Sequence, residues 1–226
     1  MKKGKKYNAA LAKVDSNKLY TIEEAVDLVK ETSTVKFDAT IDVSLNLNVD
    51  PRQANQQLRG TLILPHGNGK TKKVLAITDK VEDAKAAGAD EVGGQEVIDK
   101  IAAGYSDFDV IVATPNMMGM IGKVARILGP KGLMPNPKTG TVNPDIAKAV
   151  KEIKAGKVEY RVDKEGNMHV SIARVSFEKS KIADNLHAFI DAVLKARPSA
   201  VKGTYIKNAV IHTTMGPAIH ITFNGR

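Results

Sequence analysis

Few residues in this chain could do covalent chemistry, and none is spaced to do it. The five histidines, His66, His169, His187, His212 and His220, are scattered. No two stand at a metal-ligand spacing on one predicted helix, so no metal site is expected. His212 and His220 could meet across a hairpin, but ordinary strand positions account for them better. No Ser-His-Asp set and no pair of carboxylates can be assembled from the spacing. Gly67-Asn68-Gly69-Lys70-Thr71 has the ending of a phosphate-binding loop. The first glycine of that motif would fall on Leu64, and the residues after it read as a strand. The helix N-terminus that should face a phosphate is missing. Gly93-Gly94 lacks the third glycine of a dinucleotide fingerprint. Asp79, at the end of a predicted strand, has neither a partner acid nor a phosphate loop beside it. Neither an enzymatic centre nor a cofactor is expected.

Binding chemistry is better represented. Arg126 to Thr141 reads RILGPKGLMPNPKTGT, with three prolines, three glycines and the cations Arg126, Lys131 and Lys138, and no acid. Each proline fixes φ near −65° and each glycine allows a turn or a close backbone approach, so this loop is shaped rather than slack. The whole chain leans the same way. Thirty-four lysines and arginines face 25 acids, giving a net charge of +9 and an isoelectric point near 9.5. Such a balance points to an anionic partner, most often nucleic acid. Aromatic residues are only 4%, with no tryptophan, which argues against binding by stacking many bases. Cysteine is absent, so disulfides and thiolate metal sites are excluded. The basic start, MKKGKK, is not followed by an apolar core of about 7–15 residues, so no secretory leader is expected. No apolar run reaches the roughly 18 residues a membrane span needs, and no membrane partner is expected.

The elements that must position these groups are legible in the periodicity. A lysine-rich and mobile arm is expected first. Thr21-Ile22-Glu23-Glu24 is a capping box, and Ile22, Ala25, Val26 and Val29 share one helical face. From Thr40 the period becomes two: Ile41, Val43, Leu45, Leu47 and Val49 alternate with polar residues, as in a strand with one face buried. Leu58 to Leu64 is a second strand, and Pro65 to Lys70 a hinge candidate. The grammar then changes. Near-continuous apolar strands, Val74 to Thr78 and Phe108 to Thr114, alternate with helices at Val81 to Ala87, Gln95 to Ala103 and Met117 to Leu128. Asn143 and Pro144 predict the cap and first residue of another helix. That alternation means an α/β domain with a parallel sheet. After Gly156 the two-residue period returns. Val158 to Val162 and Met168 to Ile172 flank a hairpin signal, Ser180 to Arg197 is a long amphipathic helix, and Tyr205 to Thr213 and Ala218 to Phe223 are strands.

The outer segments share a grammar that the middle lacks, and the first alone would bury a marginal core. The predicted fold is therefore an α+β discontinuous domain, residues 1–67 and 159–226, interrupted by an inserted α/β domain, Rossmann-like with a parallel sheet, at residues 68–158. Its crossings fall near Pro65–Lys70 and Ala155–Lys157, a pairing that suits hinge motion.

Within the outer domain, Thr213-Thr214-Met215-Gly216-Pro217 joins the last two strands. It is expected to turn on a positive φ at Gly216 and to let RNA backbone approach its hydroxyls and amides. Lys36-Phe37-Asp38-Ala39-Thr40 leads into the long strand. By parity Lys36, Thr40 and Asp42 face solvent, while Phe37 would be core if the strand reaches back that far. Arg52 and Arg59 stand around one loop, as solvated cations or as phosphate forks.

These residues together resemble the ribosomal protein L1 family in its bacterial form. The resemblance covers essentially the whole chain after the lysine arm. Its most specific block is ARILGPKGLMPNPKTGTV, Ala125 to Val142, and DPRQANQQLRG, LPHGNGK, EYRVDKEGN and TTMGP lie in the family's order. It implies a non-enzymatic, two-domain protein of the cytoplasmic ribosome, among other ribosomal components. It would bind large-subunit (23S) rRNA at the mobile stalk near the exit site and assist release of exit-site tRNA. Repression of its own operon mRNA is also implied. The implied rRNA-binding residues are Lys36, Phe37, Thr40, Thr213, Thr214, Met215 and Gly216; for Phe37 this overrides the parity reading. Arg52 and Arg59 match the family's tRNA-facing loop, and Lys131 and Lys138 are expected as secondary RNA contacts. Gln53 departs from the cation common there, and His212 and Thr213 from the serines common before TMGP.

Overall fold

The computed structural model describes residues 4–79 and 81–222. Two expectations reach beyond them: the Met1–Lys3 start of the arm and the Phe223 end of the last strand. The chain divides into two compact units, Met1–Gly69 with Val158–Arg226, and Lys70–Lys157.

The first unit opens with a short helix, α1 (Lys5–Leu11), where a mobile arm was expected. It buries Ala10, and the chain after it buries Val14. Helix α2 (Ile22–Glu31) begins at the predicted capping box: Thr21 Oγ1 accepts from the Glu24 amide, and Glu24 reaches back to the Thr21 amide. Strand β1 (Thr40–Leu47) alternates half-buried and buried residues along its whole length. Ile41, Val43, Leu45 and Leu47 are at most 2% exposed. Burying each side chain of this kind stabilises by about 1.5–3 kcal/mol. Strand β2 (Arg59–Ile63) follows a one-turn 3₁₀ helix at Ala54–Gln56.

The second unit alternates strands and helices. Its sheet is β3 (Val74–Ile77), β4 (Glu91–Gly93) and β5 (Val110–Ala113), parallel and in the order β4-β3-β5. Helices α3 (Val81–Ala86) and α4 (Gln95–Ala102) make the crossovers. All four residues of β3 are buried, as the unbroken apolar run requires. Leu75 and Ile77 pack with Ile98, Ile101 and Ile121 on one side. On the other, Val74 and Ala76 pack with Ile146, Val150 and Ile153. Strand β4 was missed because three residues carry too little periodicity.

Two further differences have local causes. The single helix expected over Met117–Leu128 is broken into α5 (Met118–Ile121), a 3₁₀ turn at Gly122–Val124, and α6 (Ala125–Leu128). Gly119 and Gly122 lie in that stretch, and each glycine costs a helix about 1 kcal/mol relative to alanine. Helix α7 (Ile146–Lys154) is capped by Asp145, whose carboxylate accepts from the Lys148 amide; Asn143 instead accepts from the Asp145 amide. The cap thus falls two residues beyond Asn143.

The chain then returns to the first unit. Strand β6 (Lys157–Arg161) pairs with β2, and β7 (Asn167–Arg174) joins a different sheet. The expected hairpin between them survives as one turn and an isolated bridge from Val162 to Met168. Helix α8 (Lys179–Lys195) and strands β8 (Ile206–Thr213) and β9 (Ile219–His220) complete the unit. The main sheet runs β7-β1-β8-β9, with the β1, β7 and β8 pairings antiparallel. Helices α2 and α8 lie against its apolar face, where Val26, Val29, Leu186, Phe189 and Val193 meet Ile41 to Leu47. The architecture is the expected α+β unit interrupted by a parallel α/β unit.

Asn185 of α8 is fully buried and serves the first crossing. Its Nδ2 donates to Gly67 O (2.8 Å) and Ile172 O (2.9 Å), and its Oδ1 accepts from the His66 amide (3.1 Å). Asn185→Ala leaves these backbone groups unpaired and should destabilise the unit by about 2–4 kcal/mol in urea unfolding. A loss of less than about 0.5 kcal/mol, the range of unremarkable surface substitutions, would contradict this role.

Candidate nucleic-acid interface

The edge formed by the start of β1 and the end of β8 gathers most of the predicted contact residues. The Thr214 amide donates to Thr40 O (3.1 Å), and the Thr40 amide donates to Thr214 Oγ1 (3.3 Å). These bonds extend the β1–β8 ladder one residue past Ile41 and Thr213. They hold the Lys36–Thr40 segment beside the Thr214–Gly216 turn, although 174 residues separate the two threonines.

The Lys36–Ala39 approach is fixed from its other side. Both carboxylate oxygens of Asp38 accept from Ser176, one from its amide (3.0 Å) and one from its hydroxyl (2.9 Å). Arg174 Nη1 donates to Asp38 O (2.8 Å), and the Val175 amide donates to Ala39 O. Asp38, Arg174 and Ser176 were missed as positioning residues. Only a residue pattern spanning 138 positions could have linked them. Because regular pairing begins at Thr40, strand parity does not extend back to Phe37, which is 57% exposed. The parity reading of a core phenylalanine is overturned. Lys36 is exposed and Thr40 half-buried.

The turn also differs from expectation. The residue in left-handed backbone is Met215, with φ of 68°, and its side chain is 76% exposed. Gly216 is required for space instead: a Cβ there would lie 2.3 Å from Thr213 Oγ1. Thr213 is 2% exposed, and its hydroxyl has no partner among the described residues. Thr213 therefore lies beneath the turn, and the outward groups are Thr214, Met215 and Gly216.

The polar face of the main sheet continues from this edge. Asp42, Ser44 and Asn46 of β1 lie beside His169 of β7 and His212 of β8. His169 Nδ1 and His212 Nε2 lie 2.8 and 3.2 Å from Ser44 Oγ. Asn46 donates to Asn167 (2.7 Å), and His220 pairs with Asn208 rather than with His212. At the end of this face the Asn167 amide holds the Asp163 carboxyl below its ordinary pKa, with help from the Glu165 amide.

The other predicted residues stand apart. Arg52 is exposed, with no ion pair among the described residues. Arg59 is engaged: its Nη2 and Nε both lie 2.8 Å from Glu159 Oε1 on β6. Its fork is partly spent on that carboxylate. In the second unit Arg126, Lys131 and Lys138 are exposed. The loop carrying the two lysines is held by Asn136, whose amide donates to Thr141 Oγ1 (2.8 Å) and whose side chain accepts from the Lys138 amide (2.8 Å). Val142 bridges Ala113, so the loop is sewn along the free edge of β5. The phosphate-loop ending, with Gly67 and Gly69 at positive φ, leads into β3 without a helix. A cleft of the α/β unit, lined by Lys73, Asp90, Asp107 and Phe108, adjoins the start of β3, and Lys73 and Asp107 pair within its lining (2.8 Å). Folds of this kind bind ligands at the other, carboxyl end of the strands. No group of three metal-ligating side chains occurs among the described residues.

What this arrangement offers is donors, acceptors and two exposed apolar side chains on a rigid edge. A family model for the Ribosomal protein L1p/L10e family matches residues 29–217. The chain belongs to this family. The match takes in the Lys36–Thr40 segment, the whole α/β unit and the TMGP turn. As a member of a non-enzymatic ribosomal family, the protein is a structural constituent of the ribosome that binds large-subunit rRNA.

Backbone strain at Met215 gives a stability prediction. Left-handed backbone costs a non-glycine residue about 1–2 kcal/mol, while glycine's unfolded-state entropy costs about 0.5–1 kcal/mol. Met215→Gly should therefore leave folding stability unchanged or raise it by up to about 1.5 kcal/mol. A clear loss in thermal or urea unfolding would mean that the Met215 side chain supports the fold.

Proposed function

We propose that the Lys36–Thr40 and Thr214–Gly216 edge is the principal rRNA-contacting surface, and that it holds the mobile stalk of the large subunit near the exit site. The observation that carries this reading is a pair of exposed apolar side chains, Phe37 and Met215, on segments tied by the Thr40–Thr214 hydrogen bonds. Met215 is maintained in left-handed backbone, and strain of that sort clusters at functional positions. Apolar groups suit sugar and base faces, while the neighbouring hydroxyls and amides suit ribose 2′-OH and phosphate oxygens. Lys36 supplies charge. Lys131 and Lys138 add secondary phosphate contacts. Arg52 faces exit-site tRNA and helps its release; Arg59 joins it only by sharing its guanidinium with Glu159. The same edge represses the protein's own operon mRNA by binding a similar RNA fold. The discontinuous unit carries the principal site, with the α/β unit as an insertion.

Met215→Asp places an anion where phosphates would approach. It should weaken binding to a stalk rRNA fragment by 100-fold or more, about 3 kcal/mol, with little change in melting temperature. Wild-type affinity should fall steeply with salt, because neutralised phosphates release counterions. Unaltered affinity in Met215→Asp would remove this turn from the contact surface.

Replacing residues 70–157 with a short glycine-serine joiner tests the division of labour. The remaining unit should unfold cooperatively and bind the same fragment within about tenfold of the full chain, since it keeps its own core and the whole edge. A joined chain that fails to fold, or folds and does not bind, would refute it.

A further inference from the structure

The polar sheet face holds a group of side chains that neither the fold nor the edge above requires. Ser44 lies between two histidines from different strands, with His169 Nδ1 at 2.8 Å and His212 Nε2 at 3.2 Å. Ser44 and His169 are direct partners in the β1–β7 register, and His212 sits diagonally across β8. His169 is exposed and His212 half-exposed, so solvent and ligand both reach them. Close by, Ser171 Oγ is buried and has no partner among the described residues. Ser171 is the register partner of Asp42, which is also the partner of His212.

A serine hydroxyl has one proton to donate and two lone pairs to accept with. With both imidazoles neutral, Ser44 donates to one and accepts from the other. With both protonated, its oxygen accepts from both rings, and its own O–H is released to point outward. The chain therefore takes up protons without losing an internal hydrogen bond. The protonated state then offers an anion two cationic rings and a free hydroxyl donor. Histidine is the side chain whose charge changes between about pH 5 and 8. The other charged and titratable groups around this face are Asp42 on β1, Asp163 in the turn before β7, Lys207 at the β8 irregularity and His220 on β9. The negative charge of the two carboxylates opposes an approaching phosphate unless the rings carry charge.

We infer that His169, Ser44 and His212 extend the RNA-contacting edge onto the sheet face as a phosphate-binding subsite that takes up protons when RNA binds. This rests on the reading that the adjoining Thr40–Thr214 edge contacts RNA.

The test is the affinity of the full chain for a stalk rRNA fragment between pH 8 and pH 5.5, at constant ionic strength. Wild-type affinity should rise by roughly tenfold or more as pH falls, the linkage expected for uptake of about one proton. The double variant His169→Asn/His212→Ser should still bind, about as tightly as wild type at pH 8, and should lose most of the rise. His220→Asn should keep it, and His169→Asn alone should lose part of it, which guards against a misfolded double variant. A double variant with the wild-type pH slope, or a wild type with none, would overturn the subsite while leaving the edge intact. No binding by wild type at any pH would remove the edge reading, and this inference with it.

Discussion

Neither of the two strands before the insertion pairs with the other. Strand β1 lies between β7 and β8, and β2 pairs with β6, so every strand partner of that segment comes from beyond the insertion. The four apolar residues of β1 are buried only when both neighbours are present and α2 and α8 close over them. Folding of this unit therefore waits for contacts of very high sequence separation, which carry the entropic cost of closing a long loop. The α/β unit between has its own sheet and its own two cores, and depends on no such return.

The same constraint makes the edge. Thr40 and Thr214 meet because β1 and β8 are neighbours, and Asp38 is caught by Ser176 because β1 and β7 are. The approach segment is fixed from both sides and ends in an exposed phenylalanine. The turn opposite ends in a methionine held at φ of 68°. An exposed apolar side chain on strained backbone is unfavourable for folding alone, by order 1–2 kcal/mol. On the proposed function, this cost is offset where RNA, the family's ligand, is bound. Gly216 belongs to that geometry through space, since Thr213 Oγ1 occupies the position a Cβ would take.

Much of this was legible in the chain. The Thr21 capping box, the alternation of Ile41 to Leu47 and the apolar run of Val74 to Ile77 each state a local rule that the structure obeys. The change of grammar between arms and middle gave the fold class. What could not be read was set by distant partners. Phe37 leaves the core because regular pairing begins at Thr40. Arg59 is engaged because Glu159 arrives from 100 residues away. The left-handed residue of the turn is Met215, while Gly216 is needed for the space that Thr213 Oγ1 takes, a local exchange of roles that residue type alone does not reveal. The expected contact residues were named by the resemblance to the family, and the exposure of Lys36, Phe37 and Met215 and the burial of Thr213 came from the fold.

The chain has seven methionines, and among the described residues Met215 is the one with a largely exposed side chain. Methyl-¹³C methionine labelling makes each a separate reporter. On titration with a stalk rRNA fragment, the account predicts that the Met215 methyl resonance shifts and broadens first, while buried Met117 and Met168 stay in place. A Met215 resonance unmoved at saturation, with Met118, Met120 or Met134 of the α/β unit shifting instead, would contradict it.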